Sequence, residues 1–195
     1  MTSVLEAPTA NTVYSQVDNL SVDGIVYHFF LDKSPARPSV IRDRYIGRVL
    51  RPTDRDRELI LCQQGGLESC IQDKSLREVA LVKFVQEGDE WIIVYQIQGV
   101  YLGDGSNGSA GLKLPPKWPV PHLLALLKWS KKSGLRRLNV QKAEHHFSYY
   151  STEFGSDDEV REHQKRMRSI YNGTAKKIGC RWDPITQLYI VELQK

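Results

Sequence analysis

A chain of 195 residues with 41% apolar and 26% charged side chains has the composition of a soluble globular protein of one domain, or of one and a small second, and not that of a disordered polymer. No apolar run approaches the roughly 20 residues that cross a bilayer. The three cysteines, Cys62, Cys70 and Cys180, lack both the even count of a disulfide scaffold and the C-x-x-C spacing of a structural zinc site.

The net charge of +4 is unevenly spread. Residues 1–115 carry 12 basic and 15 acidic side chains, residues 116–195 carry 15 and 8. The C-terminal part is therefore the basic part, a composition suited to meeting phosphate and also common in plain domains.

In chain order, residues 1–12 read as a disordered lead without the basic-then-apolar pattern of a secretory signal. "LSVDGIVYHFFLD" places Asp23-Gly24 between apolar flanks, a hairpin signal. "SVIRDRYIGRVLRP" suits a half-exposed strand ending before Pro52, and "LILCQQGG" a strand ending at its glycines. In "EVALVKFVQEGDEWIIVYQIQGVYL" two β-branched and aromatic runs flank Gly88-Asp89-Glu90, which predicts a long hairpin over Glu78–Leu102. The Gly/Ser-rich and then Pro-rich stretch "GDGSNGSAGLKLPPKWPVP" is a loop and a candidate domain boundary.

Beyond it the period becomes helical. Leu123, Leu124, Leu126 and Leu127 lie between an early Pro121 and a late Gly134, the expected asymmetry of a helix. "LRRLNVQKAEHHFSYYSTEF" predicts one strand or two. Ser156 and Glu159 then form an S-x-x-E capping box. In the helix that follows, Val160, His163, Met167, Ile170 and Tyr171 share one face, and Arg161, Lys165, Arg168 and Asn172 another. Asn172-Gly173 is expected to end or kink this helix, "TAKKIG" to add a turn, and "QLYIVEL" to close as a strand. No internal repeat is present. The predicted fold class is α+β: a mostly antiparallel β-rich part over 13–115, then a basic α-β-α-β part over 116–195, the two forming separate domains or packing as one.

Motifs with chemistry are scarce. Gly103, Gly105 and Gly108 spell G-x-G-x-x-G, but the dinucleotide site needs a helix to start there, and "LKLPPKWP" forbids one. No Asp-x-Lys or Glu-x-Lys of a metal-dependent nuclease occurs; Asp54, Asp56 and Glu58 sit among arginines that would pair with them. On a strand, adjacent His145 and His146 would point to opposite faces, leaving a metal site only through one of them with Cys180 or Glu144. No cofactor, metal or catalytic residue is expected from these patterns, and enzymatic activity is left undecided, leaning against.

Basic and aromatic residues interleave instead. Lys117, Lys128, Lys131, Lys132, Arg136 and Arg137 lie near Trp118 and Trp129, followed by "HHFSYY" and by the stripe Arg161, Lys165 and Arg168. Cations bind phosphate and exposed rings stack on bases. A plainer reading competes: cations are favoured at a helix C-terminus anyway, and Trp129, Phe147 and a tyrosine suit the core. The candidate nucleic-acid contacts are Lys131, Lys132, Arg136, Arg137, Arg161, Lys165 and Arg168, with Tyr149 and Trp182 for stacking, although the bulk of Trp182 equally favours a core or lid place.

"AKKIGCRWDPITQLYIV" (175–191) explains itself as structure: Gly179 ends a helix, Asp183-Pro184 starts a turn, and two short strands flank it. It also resembles the A-K-x-x-G-A-R-W-D-x-x-x-K-x-W-Y-V signature of a small domain found beside bacterial plasmid primases and antirestriction proteins, and is distantly similar to the HARP module of annealing helicases. Ala175, Lys176, Gly179, Arg181, Trp182, Asp183, Tyr189 and Val191 match; Gln187 and Leu188 stand where that family has a basic residue and often Trp. The resemblance covers about 20 residues. It implies a binding role in DNA or RNA processing and no catalytic residue.

The function expected is that of a non-catalytic nucleic-acid-binding accessory protein in the cytoplasm, without membrane contact. The alternatives are a protein-interaction adaptor, docking through the β-rich part or the "GDGSNGSAG" loop, and a nuclease without a readable motif.

Overall fold

The computed structural model describes residues 14–32, 56–64, 76–99, 114–150 and 154–193. The expected lead, the expected strand of 39–51, Asp54 and the loop glycines Gly103, Gly105 and Gly108 lie outside them.

The first hairpin forms where the Asp-Gly pair demands it. β1 (Tyr14–Val22) and β2 (Ile25–Asp32) are antiparallel, and Asp23 and Gly24 both take positive φ, 50° and 77°, as a two-residue primed turn requires. β3 (Asp56–Gln64) pairs with β2, and β4 (Leu76–Glu87) with β3. β4 turns at Gly88 (φ 57°) into β5 (Trp91–Gly99), the expected long hairpin.

β5 and β6 (Arg137–Gln141) are parallel, so a crossover has to join them. Its helical part is α1 (Pro119–Lys132), with proline at its start. α1 ends in a Schellman motif: Gly134 has φ 77°, its N–H donates to the Lys131 carbonyl at 3.1 Å, and that of Leu135 to the Ser130 carbonyl at 3.1 Å.

Of the one strand or two expected over 135–154, the described residues show one, β6. Instead of a second strand the chain then forms two 3₁₀ turns, Ala143–His145 and Phe147–Tyr150. The reason is topological: β6 already has β5 on one side and β8 (Leu188–Glu192) on the other, so no ladder is open for an adjacent strand. α2 (Asp157–Arg168) starts at the expected capping box, with the Glu159 N–H donating to Ser156 Oγ at 3.3 Å and the Ser156 N–H to Glu159 Oε2 at 3.0 Å.

Asn172-Gly173 does not stop the helical path. The backbone widens into one π turn, Ser169–Gly173, and continues as α3 (Thr174–Lys177). Gly179 (φ 91°) then ends α3 in a second Schellman motif, its N–H on the Lys176 carbonyl and that of Cys180 on the Ala175 carbonyl. β7 (Arg181–Asp183) pairs with β8 and forms one edge of the sheet.

The result is an α+β protein with one eight-stranded sheet, ordered β1-β2-β3-β4-β5-β6-β8-β7, antiparallel except at β5/β6. Alternate residues of successive strands make one apolar face: Tyr27, Phe29 and Leu31, then Leu59 and Leu61, Val82 and Phe84, Ile92 and Val94, Leu138 and Val140, and Tyr189, all buried. They share a single core cluster with Leu123 and Leu126 of α1 and with Met167, Tyr171 and Ala175, so sheet and core both run across residue 115. No described helix is long and apolar enough to cross a membrane.

His122, on α1, is fully buried in this core. Its Nε2–H donates to the Leu59 carbonyl at 2.8 Å, and the rings of Phe29 and Trp118 lie 5.5 and 6.0 Å away. Nδ1 has no partner among the described residues. Burial pushes the imidazole pKa down to about 3.

Candidate functional site

The candidate residues fall into two groups at opposite ends of β6. Lys131 and Lys132 close α1, and Arg136 and Arg137 lead into β6. Both arginine backbone N–H groups donate to the Glu90 carbonyl, at 2.7 and 3.1 Å, which fixes this end beside the β4–β5 turn. Arg161, Lys165 and Arg168 lie on α2, which meets the chain emerging from the other end of β6. Five strand residues separate the two ends, roughly 15 Å. The expected cations therefore form two separate groups.

Most of them also have carboxylate partners. Arg136 pairs with Glu90 at 3.4 Å, Arg137 with Glu192 at 2.9 Å, Arg161 with Asp158 at 3.2 Å, Lys165 with Glu162 at 3.5 Å and Arg168 with Glu144 at 3.2 Å. Lys128 holds Asp18 at 2.8 Å across to β1. Burial opposes the charge on Asp18 more than any one neighbour favours it, but the Lys128 bond, the Asn19 N–H and the charges of Lys128 and Lys132 together keep the carboxyl below its ordinary range. Lys131 and Lys132 have no ion pair among the described residues. Exposed pairs of the Arg161–Asp158 kind contribute about 0–1 kcal/mol, so a phosphate can exchange with them at little cost.

Tyr149 requires a correction. It is 2% exposed and lies in the core, leaving no ring face for a base. The Arg168 guanidinium sits 5.4 Å from its ring centre. Sequence spacing cannot tell Tyr149 from its neighbour Tyr150, which is 47% exposed; the 3₁₀ turn decides which ring faces inward.

Trp182 is open. It stands on β7 with 40% of its surface exposed, opposite Tyr189 in register and 5.3 Å from that ring. Lys142, the first residue beyond β6, carries its ammonium 5.1 Å from the indole centre. Arg181, beside Trp182, and Lys176 and Lys177, at the end of α3, are exposed and have no ion pair among the described residues.

Asp183 is occupied in its own turn. Its carboxylate accepts from the Ile185 and Thr186 N–H groups at 3.2 Å and from the Thr186 hydroxyl at 2.6 Å. That hydroxyl, before the backbone bonds, holds its pKa low. The turn closes on Gln187 at φ 57°.

Behind Lys142 lies Glu144, which sequence reasoning weighed only as a metal ligand. It accepts from Arg168 Nε at 3.2 Å and from Asn172 Nδ2 at 3.1 Å, with Lys142 Nζ at 3.8 Å. Burial alone would raise its pKa, yet the bonds from Asn172 and Arg168 keep it below the usual carboxylate range. Asn172 Oδ1 accepts from the Ala143 N–H at 2.9 Å, so the π turn and the first 3₁₀ turn are pinned together. Lys142 had no local signal: forty residues separate it from Trp182, and only strand order brings the two together.

The metal alternative finds little support in this geometry. His145 is exposed; His146 is buried against Tyr171, 5.2 Å ring to ring, and shares a hydrogen bond with Ser148 Oγ. Burial pushes the Cys180 thiol up to about 12. Among the described residues, no group of three His, Cys, Asp or Glu side chains could hold a metal ion.

No protein-family model matches the chain, and no curated protein is similar to it at a significant level.

Proposed function

We propose that this protein is a non-catalytic nucleic-acid-binding accessory protein, and that its contact is centred on the segment from α3 into β7. The observation that carries the reading is an exposed Trp182 with a lysine ammonium over its ring, next to Lys176, Lys177 and Arg181, which have no ion pair among the described residues. An open indole offers a base-stacking surface, and neighbouring unpaired cations offer phosphate contacts. The resemblance of 175–191 to a module of DNA-processing proteins points the same way. Lys131 and Lys132 stand as a second, separate phosphate contact.

One observation favours an adaptor instead: Ile185, 90% exposed, sits on the same hairpin as Trp182. Titrating fluorescent single- and double-stranded oligonucleotides across a salt series separates the two readings. Nucleic-acid binding predicts an affinity that falls steeply with salt and drops further in Lys176→Glu/Arg181→Glu. No binding at low salt would move the reading to the adaptor, and cleavage on adding Mg²⁺ or Mn²⁺ would move it to a nuclease.

A further inference from the structure

Lys142 and Arg168 each cap an aromatic ring, of Trp182 and Tyr149 respectively, and both turn to one carboxylate, that of Glu144. Asn172 adds a neutral donor to the same oxygens. Two cations and an amide N–H around one anion are the donor set that binds a phosphate group. Here the set is filled from within.

Accessibility separates this cluster from the other ion pairs. On α2, the cation and the carboxylate of each i, i+3 pair are both largely in water. Glu144 has only 22% of its side chain exposed, whereas Arg168 keeps 54% and Lys142 32%. Both cations are more exposed than the one carboxylate they share, so a phosphate arriving from solvent meets donors whose combined charge is already partly cancelled.

We infer that Glu144 is an autoinhibitory carboxylate, an internal competitor that lowers the affinity of Lys142 and Arg168 for the phosphates of a nucleic acid. The inference rests on the nucleic-acid reading above and adds a regulator to it. Removing the charge while keeping the shape frees both cations for phosphate, whereas a carboxylate that merely scaffolds the turn gives no gain when neutralised.

The experiment is anisotropy titration of fluorescein-labelled oligothymidylate with the full-length wild type, Glu144→Gln and Glu144→Gln/Lys142→Gln, each checked for folding by thermal melting. Glu144→Gln should bind about five-fold tighter, the equivalent of one exposed ion pair. Its affinity should also depend more steeply on salt, by up to about 1.4 in the log–log slope for two added single-strand phosphate contacts. Adding Lys142→Gln should remove most of the gain. Should Glu144→Gln not fold, Glu144→Asp, which withdraws the charge by one methylene, should bind about two-fold tighter. Wild type that binds, with a folded Glu144 variant that binds no tighter, overturns this inference and leaves the nucleic-acid reading standing. Failure of both wild type and the folded variants to bind overturns both.

Discussion

Trp182 and His122 show how differently two large polar-edged side chains are used. Trp182 holds its ring open on a short strand, where stacking on a base is worth about 1–3 kcal/mol. Trp182→Ala should therefore weaken oligonucleotide binding by at least about five-fold while leaving the thermal melt within a few degrees of wild type; unchanged affinity removes the stacking role. His122 is the opposite case, a core residue with one donated hydrogen bond and, among the described residues, no partner on its other nitrogen. Folded, it stays neutral down to about pH 3; unfolded, it takes a proton near 6.5. Between those values the unfolded chain binds the extra proton, so stability falls as the pH drops below about 6.5, by up to ~1.4 kcal/mol per unit. His146, pushed down to about 4 by burial and then by the charge of His163, acts in the same direction. Urea melts between about pH 7.5 and pH 5 should show this loss. His122→Gln, which retains a donor for the Leu59 carbonyl, should flatten the slope, and an equally steep slope contradicts the assignment.

At the scale of elements, the π turn ties the end of β5 to the first 3₁₀ turn after β6. It aims Asn172 at Glu144 and at the Ala143 N–H, and Tyr171 at the sheet, where its hydroxyl accepts from the Ile97 N–H at 3.0 Å. That bond lies at the end of β5, buried, so no water replaces it. Tyr171→Phe should cost about 1–3 kcal/mol of unfolding free energy by leaving the N–H unpaired; a loss within experimental error would mean the π turn relaxes to satisfy it. The elements legible in sequence were those with a local physical signature. Asp23-Gly24 needs two positive φ values, Ser156/Glu159 makes a reciprocal cap, and Gly134 and Gly179 close Schellman motifs. The sequence left open one strand or two over 135–154; the second does not form at "HHFSYY", since both sides of β6 are taken. Asn172-Gly173 marked an irregularity in this helix but not its form, a π turn from which Tyr171 and Asn172 bond distant residues.

At the scale of the molecule, the basic C-terminal part proved real in composition and divided in space. Charge counting over 116–195 cannot see that Lys131 and Arg136 stand at one end of β6 and Arg168 at the other, nor that Glu90, from the β4–β5 turn, and Glu192, at the end of β8, pair with two of these cations. The pairing of Lys142 with Trp182 was equally hidden, because it depends on β8 lying between β6 and β7. The segment 175–183, which the sequence marked by its resemblance, is where Arg181, without an ion pair among the described residues, and an open Trp182 lead into the Asp183 turn, although the bulk of Trp182 had favoured a core or lid place. The most direct test is to follow the indole N–H resonances of the four tryptophans while oligothymidylate is added at low salt. The Trp182 signal should shift in step with binding while those of Trp91, Trp118 and Trp129, all half-buried, stay in place. Binding that leaves Trp182 unmoved, or that shifts only Trp129 near the end of α1, would contradict a contact centred on β7.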